Sequence, residues 1–350
     1  MGWGMINRLL SVALFGVMAL FPAPISAQQI PVADYYRGKT VSILVGYEAG
    51  GGYDLYARLI GPILAKHIPG QPNVVVQNMP GAGGLRAARN LSTAAPKDGT
   101  VLGMLAQSLP FDSALGYTPD IDAISFIWLG RIAMNVEVGV AFKQSNLTNI
   151  DDLRRSPVPI GGTGGTASST VIPFLLNQLA GTQFKLISGY KSANEVLLAM
   201  ERREVDMVGA TGISTVLAKH ERELNDGSMR LLYQNALNRH PLLTTTPTIG
   251  ELGTNSENKM ILDLFAAGAS VGRTLVAPPG TAIEKAAILR QAMESSLADP
   301  ELSATAKKQG LILEPGSAAE ITAIVESVSR APKPLTERAR SVLESLTSAK

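Results

Sequence analysis

The stretch that decides the fold is Val41-Ser42-Ile43-Leu44-Val45-Gly46-Tyr47-Glu48-Ala49-Gly50-Gly51-Gly52-Tyr53-Asp54. Its first half is a run of aliphatic and β-branched residues, which predicts a buried strand. Its second half is a glycine-rich turn that ends at Asp54, a residue that can cap a helix. Apolar residues then recur at the spacing of one buried helical face, at Leu55, Leu59, Ile63 and Leu64. The stretch therefore predicts a strand, a loop and a helix from Asp54 to about His67.

The same pattern recurs along the chain. Further strands are expected at Val74–Asn78 and 101–106, with a helix over about 84–94 between them. A second series is expected from three later runs, Val158–Ile160, Phe184–Ser188 and Val205–Ala210, each joined to a helical pattern. Strands that alternate with helices through short glycine-rich loops favour mostly parallel sheets covered by helices. The sequence thus predicts an α/β protein of two lobes, with lobe 1 at 28–137 plus 236–350 and lobe 2 at 138–235.

The N-terminus is typical of an export signal. Arg8 is followed by an apolar run from Leu9 to Pro24, and Ile25-Ser26-Ala27 precedes Gln28. We expect residues 1–27 to be a signal peptide cleaved near Ala27. A retained membrane anchor is the alternative, but the run is shorter than the roughly 20 apolar residues of a comfortable span. Cleavage leaves about 320 residues, a length typical of two domains.

Composition excludes several classes of function. The chain has no cysteine, which excludes disulfides, thiolate metal sites and a cysteine nucleophile. With 31 basic and 29 acidic residues its formal net charge is +2. This balance gives no footprint for nucleic acid or an anionic membrane surface, which need clustered excess cations. Export without cysteine fits a bacterial periplasm, where a large core replaces disulfides.

Three glycine-rich loops follow predicted strands. The first is Glu48–Asp54, the second is Asn78–Gly84, and the third is Gly161–Ser169 in the second lobe. Loops that follow parallel strands open at one edge of a sheet, and backbone N–H groups at a helix start can bind an anion. We therefore expect an anion site where the loops of the two lobes face each other. The structural alternative for each loop is a flexible turn with a helix cap.

Catalytic and metal sites have little support in the sequence. The three histidines, His67, His220 and His240, lie away from the glycine-rich loops and are expected at the surface. A histidine-dependent triad therefore has no evident members. No histidine and carboxylate pair has helical metal-ligand spacing, so neither a metal nor a cofactor is expected. We predict no catalytic residues.

The chain resembles the Bug-type receptors of tripartite tricarboxylate transporters, which are extracytoplasmic solute-binding proteins. The resemblance spans nearly the whole mature chain. It rests on the order and spacing of short motifs, which are Gly50-Gly51-x-x-Asp54, Ala57-Arg58, Asn78-x-Pro80-Gly81-Ala82-Gly83-Gly84, Ala95-Pro96-Lys97-Asp98-Gly99-Thr100, Tyr190-Lys191, Asp206, Arg239, Pro247-Thr248-x-x-Glu251-x-Gly253 and Ala277-Pro278-Pro279-Gly280-Thr281.

The resemblance implies a two-lobed periplasmic binding protein of type II, the Venus-flytrap class, with a hinge between the lobes. It implies a small organic acid as ligand, transporter subunits or a membrane sensor kinase as partner, and a monomeric state. Closure of the lobes around the ligand would signal to that partner. The implied ligand contacts are Tyr47, Gly50, Gly51, Gly81, Ala82, Gly83, Thr166, Ser168 and Tyr190.

Two questions stay open at this stage. The family usually has Pro-Pro-Gly-Gly in the first loop, whereas this chain has Glu48-Ala49-Gly50-Gly51. Either Glu48 points away from the site, or the ligand also carries a cationic or hydroxyl group. The alternatives to a receptor are a periplasmic enzyme acting on small carboxylates and a scaffold whose cleft no longer binds a ligand.

Overall fold

A computed structural model describes residues 32–163, 167–190 and 192–348 of the chain. These residues form two five-stranded sheets. The predicted signal peptide lies outside the described residues. The strands are β1 Thr40–Val45, β2 Asn73–Asn78, β3 Val101–Met104, β4 Ile127–Ala133, β5 Glu137–Phe142, β6 Val158–Gly162, β7 Phe184–Ser188, β8 Met207–Gly212, β9 Met229–Asn235 and β10 Arg273–Ala277.

Helices cover both sheets. The α-helices are α1 Val32–Tyr35, α2 Gly52–His67, α3 Leu85–Arg89, α4 Leu109–Ala114, α5 Ile150–Arg155, α6 Ser168–Ala180, α7 Ala193–Glu201, α8 Ile213–Lys219, α9 Glu221–Asn225, α10 Ser256–Val271, α11 Ile283–Leu297, α12 Pro300–Lys308, α13 Ala318–Ser329 and α14 Lys333–Ser348. Short 3₁₀ turns lie at Ala82–Gly84, Ala123–Ser125, Lys143–Ser145 and Gly250–Leu252, and a π turn lies at Asn90–Ala94. No helix in the described ranges is long and apolar enough to cross a bilayer.

Each sheet mixes parallel and antiparallel strands in the same way. The first sheet has the order β2-β1-β3-β10-β4, and the second has the order β7-β6-β8-β5-β9. The three strands that open each series run parallel, because helices return the chain across the sheet between them. One antiparallel strand, β10 or β5, then separates this trio from the outer strand. The chain enters the second sheet after β4 and leaves it after β9, so the first sheet is completed by a late strand.

The deciding stretch folds as predicted, with one error in the buried face of its helix. Strand β1 is an internal strand of its sheet, and four of its six residues are buried. Helix α2 begins at Gly52 rather than at Asp54 and ends at His67. Leu59, Ile63 and Leu64 are buried as expected, but Leu55 is 41% exposed. The periodic pattern misplaced Leu55 because Tyr53 and Tyr56 occupy the core-facing positions of the first turn.

Three other helical regions differ from the sequence-based expectation. Residues 82–94 pass through a 3₁₀ turn, helix α3 and a π turn instead of one regular helix. Helix α10 was not predicted, although its 16 residues are the packing centre between the two sheets. The final helix α14 has 16 residues, whereas Pro332 and Pro334 in the sequence predict only a short last helix there.

Helix α10 joins the two lobes through an apolar core. It packs against α6 of the second lobe and against α4, α13 and α14. One continuous buried cluster includes Phe111 of α4, Leu175 of α6 and Leu262 of α10. The ring of Phe111 lies 4.2 Å from the ring of Phe265, centre to centre. The lobes are therefore connected by packed side chains as well as by the two crossings of the chain.

Candidate functional site

The strand ends that carry the glycine-rich loops face each other between the lobes. In the first sheet, Arg273 at the start of β10 pairs with Ala133 at the end of β4, at the edge where β1, β2 and β3 end. In the second sheet, Glu137 at the start of β5 pairs with Gly212 and Asn235, the last residues of β8 and β9. Only three residues separate Ala133 from Glu137, so these two edges adjoin. Loops after the parallel strands of both sheets therefore open into one cleft.

Asp54 holds the first loop in shape. Its carboxylate accepts hydrogen bonds from the Gly50 N–H at 2.9 Å, from Arg58 Nε at 2.9 Å and from Asn78 Nδ2 at 2.9 Å. The side chain is 2% exposed. The bond from Arg58 is the largest cause that lowers the pKa of Asp54, to about 2. Four residues of the family motifs thus form one hydrogen-bond network around a buried carboxylate, which fixes the first loop to the end of β2.

The second loop is built on left-handed backbone. Gly81, Gly83 and Gly84 have φ values of 138°, 64° and 95°, and Ala82 between them has 48°. A side chain at Gly84 would also be strained by its close approach to Ala106, whose Cβ would lie 3.3 Å from the added Cβ. Glycine is the residue that adopts this backbone without strain. The sequence Gly-Ala-Gly-Gly is therefore required by the turn itself.

The two loops of the first lobe touch each other. The Tyr47 hydroxyl donates a hydrogen bond to the Gly83 carbonyl at 3.3 Å. Burial, with the neighbouring Tyr53 as the next cause, raises the pKa of Tyr47 above its usual range, so the phenol stays protonated. Gly50, Gly51, Gly81, Ala82 and Gly83 are all exposed at the cleft edge. The structure thus brings together the six predicted contacts of the first lobe.

The predicted contacts of the second lobe are dispersed. Ser168 is the first residue of α6 and lines a cavity between the lobes. Ser169 is buried and bonded to Thr163, whose N–H lies 3.1 Å from its Oγ. Thr166 lies outside the described residues. Tyr190 follows the outer strand β7 and packs, half-buried, against a separate apolar cluster of this lobe. Of the hydroxyls in the third loop that are described, Ser168 is the one facing the cavity.

Arg273 is a cleft residue that the sequence analysis missed. Its guanidinium carbon lies 3.9 Å from the centre of the Tyr53 ring, which stacks on the Tyr47 ring at 4.2 Å. Its Nη2 donates to Asn135 Oδ1 at 3.1 Å, in the crossing between the sheets. Its Nε is buried and has no hydrogen-bond partner within the described part of the chain. Arg273 belongs to no sequence motif that would mark it as a cleft residue. Its position at the cleft follows only from the antiparallel pairing of β10 with its neighbours.

The cavity between the lobes has a volume of about 480 Å³. Its walls combine apolar and acidic residues. They are Gln107, Ser108, Phe111, Asp112, Tyr117, Glu137, Ser168, Val171, Ile172, Asn235, Phe265, Gly268, Leu343, Glu344 and Leu346. Burial raises the pKa of Glu137, and hydrogen bonds from Ser168 and Asn235 and the charge of Arg273 oppose that rise. Burial likewise raises the pKa of Asp112, with Ser108 opposing. The acidic residues of the cavity are therefore Glu137, Asp112 and Glu344, whereas Glu48 of the first loop is solvent-exposed and is not among the wall residues.

The histidines lie outside this cleft, but one is not at the surface. His240 is 3% exposed, and its Nε2 contacts the Glu314 carboxylate. Its Nδ1 accepts a hydrogen bond from the Leu242 N–H at 3.1 Å. The surface assignment was wrong for His240, because a long return loop after β9 folds back onto the first lobe. Residues 32–163, 167–190 and 192–348 contain no group of three His, Asp or Glu side chains arranged to hold a metal ion.

Known proteins are similar to this chain in sequence and in fold. The model of the family described as tripartite tricarboxylate transporter family receptor matches residues 57–339. Protein BugT of Bordetella pertussis is 27% identical over 266 residues, which are 71% of this chain and 74% of BugT. A solved TctC solute binding protein from Polaromonas has a TM-score of 0.65 at 17% identity, covering 90% of this chain and 100% of that protein. A structure from R. palustris with adipate has a TM-score of 0.57 at 21% identity, covering 87% and 97%. These two structural matches establish the fold alone.

Proposed function

Because the chain belongs to the tripartite tricarboxylate transporter receptor family, we propose that it is a periplasmic receptor for a small, carboxylate-bearing organic solute. The observation that carries the proposal is the convergence of strand ends from both sheets on one cleft that contains Arg273. The receptor delivers its solute to transporter subunits or signals to a membrane sensor. Binding proceeds by lobe closure, without catalysis.

The cleft has the chemistry that a carboxylate needs. The guanidinium of Arg273 lies at the cleft edge, is planar and is permanently charged, so a carboxylate there can form charge-assisted hydrogen bonds with it. The exposed backbone of Gly81, Ala82 and Gly83 adds amide dipoles at the same edge, where no side chain blocks approach. The R. palustris protein that shares this fold holds adipate, a dicarboxylate. We extend that ligand class to this chain as part of the proposal.

Lobe 1 comprises 28–137 plus 236–350, and lobe 2 comprises 138–235, with the hinge at the two crossings. Residues 1–27 are the signal peptide that exports the chain.

The proposal keeps the contact set that the family resemblance implies. The ligand contacts are Tyr47, Gly50, Gly51, Gly81, Ala82, Gly83, Thr166, Ser168 and Tyr190, to which the cleft geometry adds Arg273. The Gly50 N–H is bound to Asp54, so Gly50 acts by shaping the loop and leaving room for the ligand.

A thermal-shift screen of the mature protein tests the proposal. Mono-, di- and tricarboxylates are added to the wild type, to Arg273→Gln and to the control Arg37→Gln, which removes an exposed arginine of the first lobe far from the cleft. We expect a carboxylate to stabilise the wild type and the control alike. Loss of charge-assisted hydrogen bonds should weaken binding to Arg273→Gln by about 10-fold or more.

Two results would contradict the proposed function. One is the absence of any organic acid that stabilises the wild type. The other is chemical conversion of the bound acid, because a receptor must release its ligand unchanged.

Trp128 is the only tryptophan after residue 27, but it is buried near the start of β4, at the far end of the strand from the cleft. Thermal shift and calorimetry are therefore better reporters than tryptophan fluorescence.

A further inference from the structure

The cavity beside the cleft contains a buried acceptor that the protein does not satisfy. Asn235 is 7% exposed and lines the cavity. It pairs with Glu137 across strands β5 and β9, and its side chain opposes the rise that burial causes in the pKa of that carboxyl. Its Oδ1 is buried and has no hydrogen-bond partner among the described residues. Since buried polar atoms are normally paired, this oxygen calls for a donor from a ligand.

The charged groups of the cavity are also acceptors. Glu137 and Asp112 line the wall within the lobes, and Glu344 of α14 lines it at the rim, where it is paired with Arg340. No lysine, arginine or histidine is among the wall residues in the described ranges. The nearest cation to Glu137 is Arg273, which lies toward the glycine-rich loops. An anion alone would therefore find no cation among the described wall residues, whereas a cationic donor would find acceptors and would favour the ionised form of Glu137, whose pKa burial raises.

Most of the remaining wall residues are apolar. Phe111 and Phe265 form one side as a pair of tilted rings, and Val171 and Ile172 of α6 form the side of the second lobe. Burial of a hydrocarbon or aromatic body against such walls stabilises a complex in proportion to the apolar area removed from water. The cavity could thus bind the cationic group and the apolar body of one ligand at the same time.

Resting on the proposed receptor function, we propose that the solute is amphoteric. Its carboxylate faces Arg273, its ammonium group faces Glu137 and Asn235, and its apolar body fills the cavity between Phe111, Phe265 and Ile172. Glu137 and Asn235 are then the residues that determine specificity for the ammonium group. This arrangement also resolves the question raised by Glu48, because the acidic partner of the ligand is Glu137 rather than the exposed glutamate.

The test compares three probes that share one apolar body. L-Phenylalanine carries the carboxylate and the ammonium group, 3-phenylpropionate lacks the ammonium group, and phenethylamine lacks the carboxylate. Each is titrated by calorimetry into the wild-type mature protein, Glu137→Gln, Asn235→Ala and the control Glu284→Gln, whose glutamate is exposed on α11. The midpoint of thermal unfolding without ligand shows that each variant is folded.

We expect phenylalanine to bind the wild type and the control about 10-fold or more tightly than either partial probe. In Glu137→Gln and Asn235→Ala this advantage over 3-phenylpropionate should fall by about 10-fold, while binding of 3-phenylpropionate itself changes little. Glutamine keeps the size of the side chain, so the loss would report charge rather than packing.

The possible failures are distinguishable. If 3-phenylpropionate binds as tightly as phenylalanine, or if both variants keep the preference, the amphoteric proposal is refuted and the acid receptor stands. Tighter binding of phenethylamine than of phenylalanine refutes it as well, because the carboxylate would then contribute nothing. If neither these acids nor the wider carboxylate panel binds, the receptor function itself is wrong.

Discussion

Replacement of Asp54 by Asn is expected to destabilise the first lobe by about 2.5 kcal/mol at neutral pH. Asn is nearly isosteric with Asp, but it has no charge and its amide nitrogen donates hydrogen bonds. One of the three donors that meet at Asp54, from Gly50, Arg58 or Asn78, would then face another donor. This hydrogen-bond network would be broken without a change of volume.

The magnitude follows from the pKa of Asp54. Its pKa is lowered from 3.8 to about 2, first by the hydrogen bond from Arg58. Each pKa unit corresponds to about 1.4 kcal/mol, so the shift is equivalent to about 2.5 kcal/mol. Because the folded-state pKa is the lower one, this stabilisation is present above pH 3.8 and is lost as the pH falls through about 2. At pH 3 about half of it remains.

Denaturant unfolding of the mature protein at pH 7 and pH 3 measures the effect. The control is Glu326→Gln, which breaks another ion pair between a carboxylate and an arginine four residues later on a helix. That carboxylate is 38% exposed, so its loss should cost only about 0.5 kcal/mol. Equal destabilisation by the two variants would refute the assignment of the effect to the buried Asp54 carboxylate and its three hydrogen-bond donors. A difference between wild type and Asp54→Asn that does not shrink at pH 3 would refute the electrostatic origin.

Two further substitutions test the structure outside the cleft wall. Gly84→Ala should destabilise the protein by about 1 to 3 kcal/mol in thermal unfolding, because it combines left-handed backbone with close approach to Ala106. The control for backbone strain alone is Gly310→Ala, since Gly310 has a φ of 66° and no atom within 4 Å of an added Cβ. This control should lower the free energy of unfolding by less. His240→Gln should lower the free energy of unfolding by about 1 to 3 kcal/mol, because it removes the imidazole that contacts the half-buried Glu314 carboxylate. An unchanged denaturation midpoint would show that this contact is not made in solution.

Much of the architecture was evident from the sequence because it depends on local pattern. The apolar run of β1, the glycine-rich turn and the face of α2 each follow from the period of a strand or a helix. The α/β class and the family were predicted and are confirmed. The motif residues Asp54, Arg58 and Asn78 could also be found in the sequence, but their shared role in one hydrogen-bond network appears only when β2 lies beside β1.

The cleft wall depended on the tertiary structure. Arg273 and Glu137 belong to no motif and are more than a hundred residues apart, yet antiparallel pairing puts each at the cleft edge of its sheet. The apolar residues of the cavity come mainly from α4, α6, α10 and α14, and the packing of α10 against the other three cannot be deduced from its own sequence because it depends on both lobes. The local sequence thus determined the strands and helices through their periodicity, and the glycine-rich turns through their composition. Only the register of distant strands decided which charges share the cleft, since charge pairing acts through space and leaves no fixed spacing in the chain.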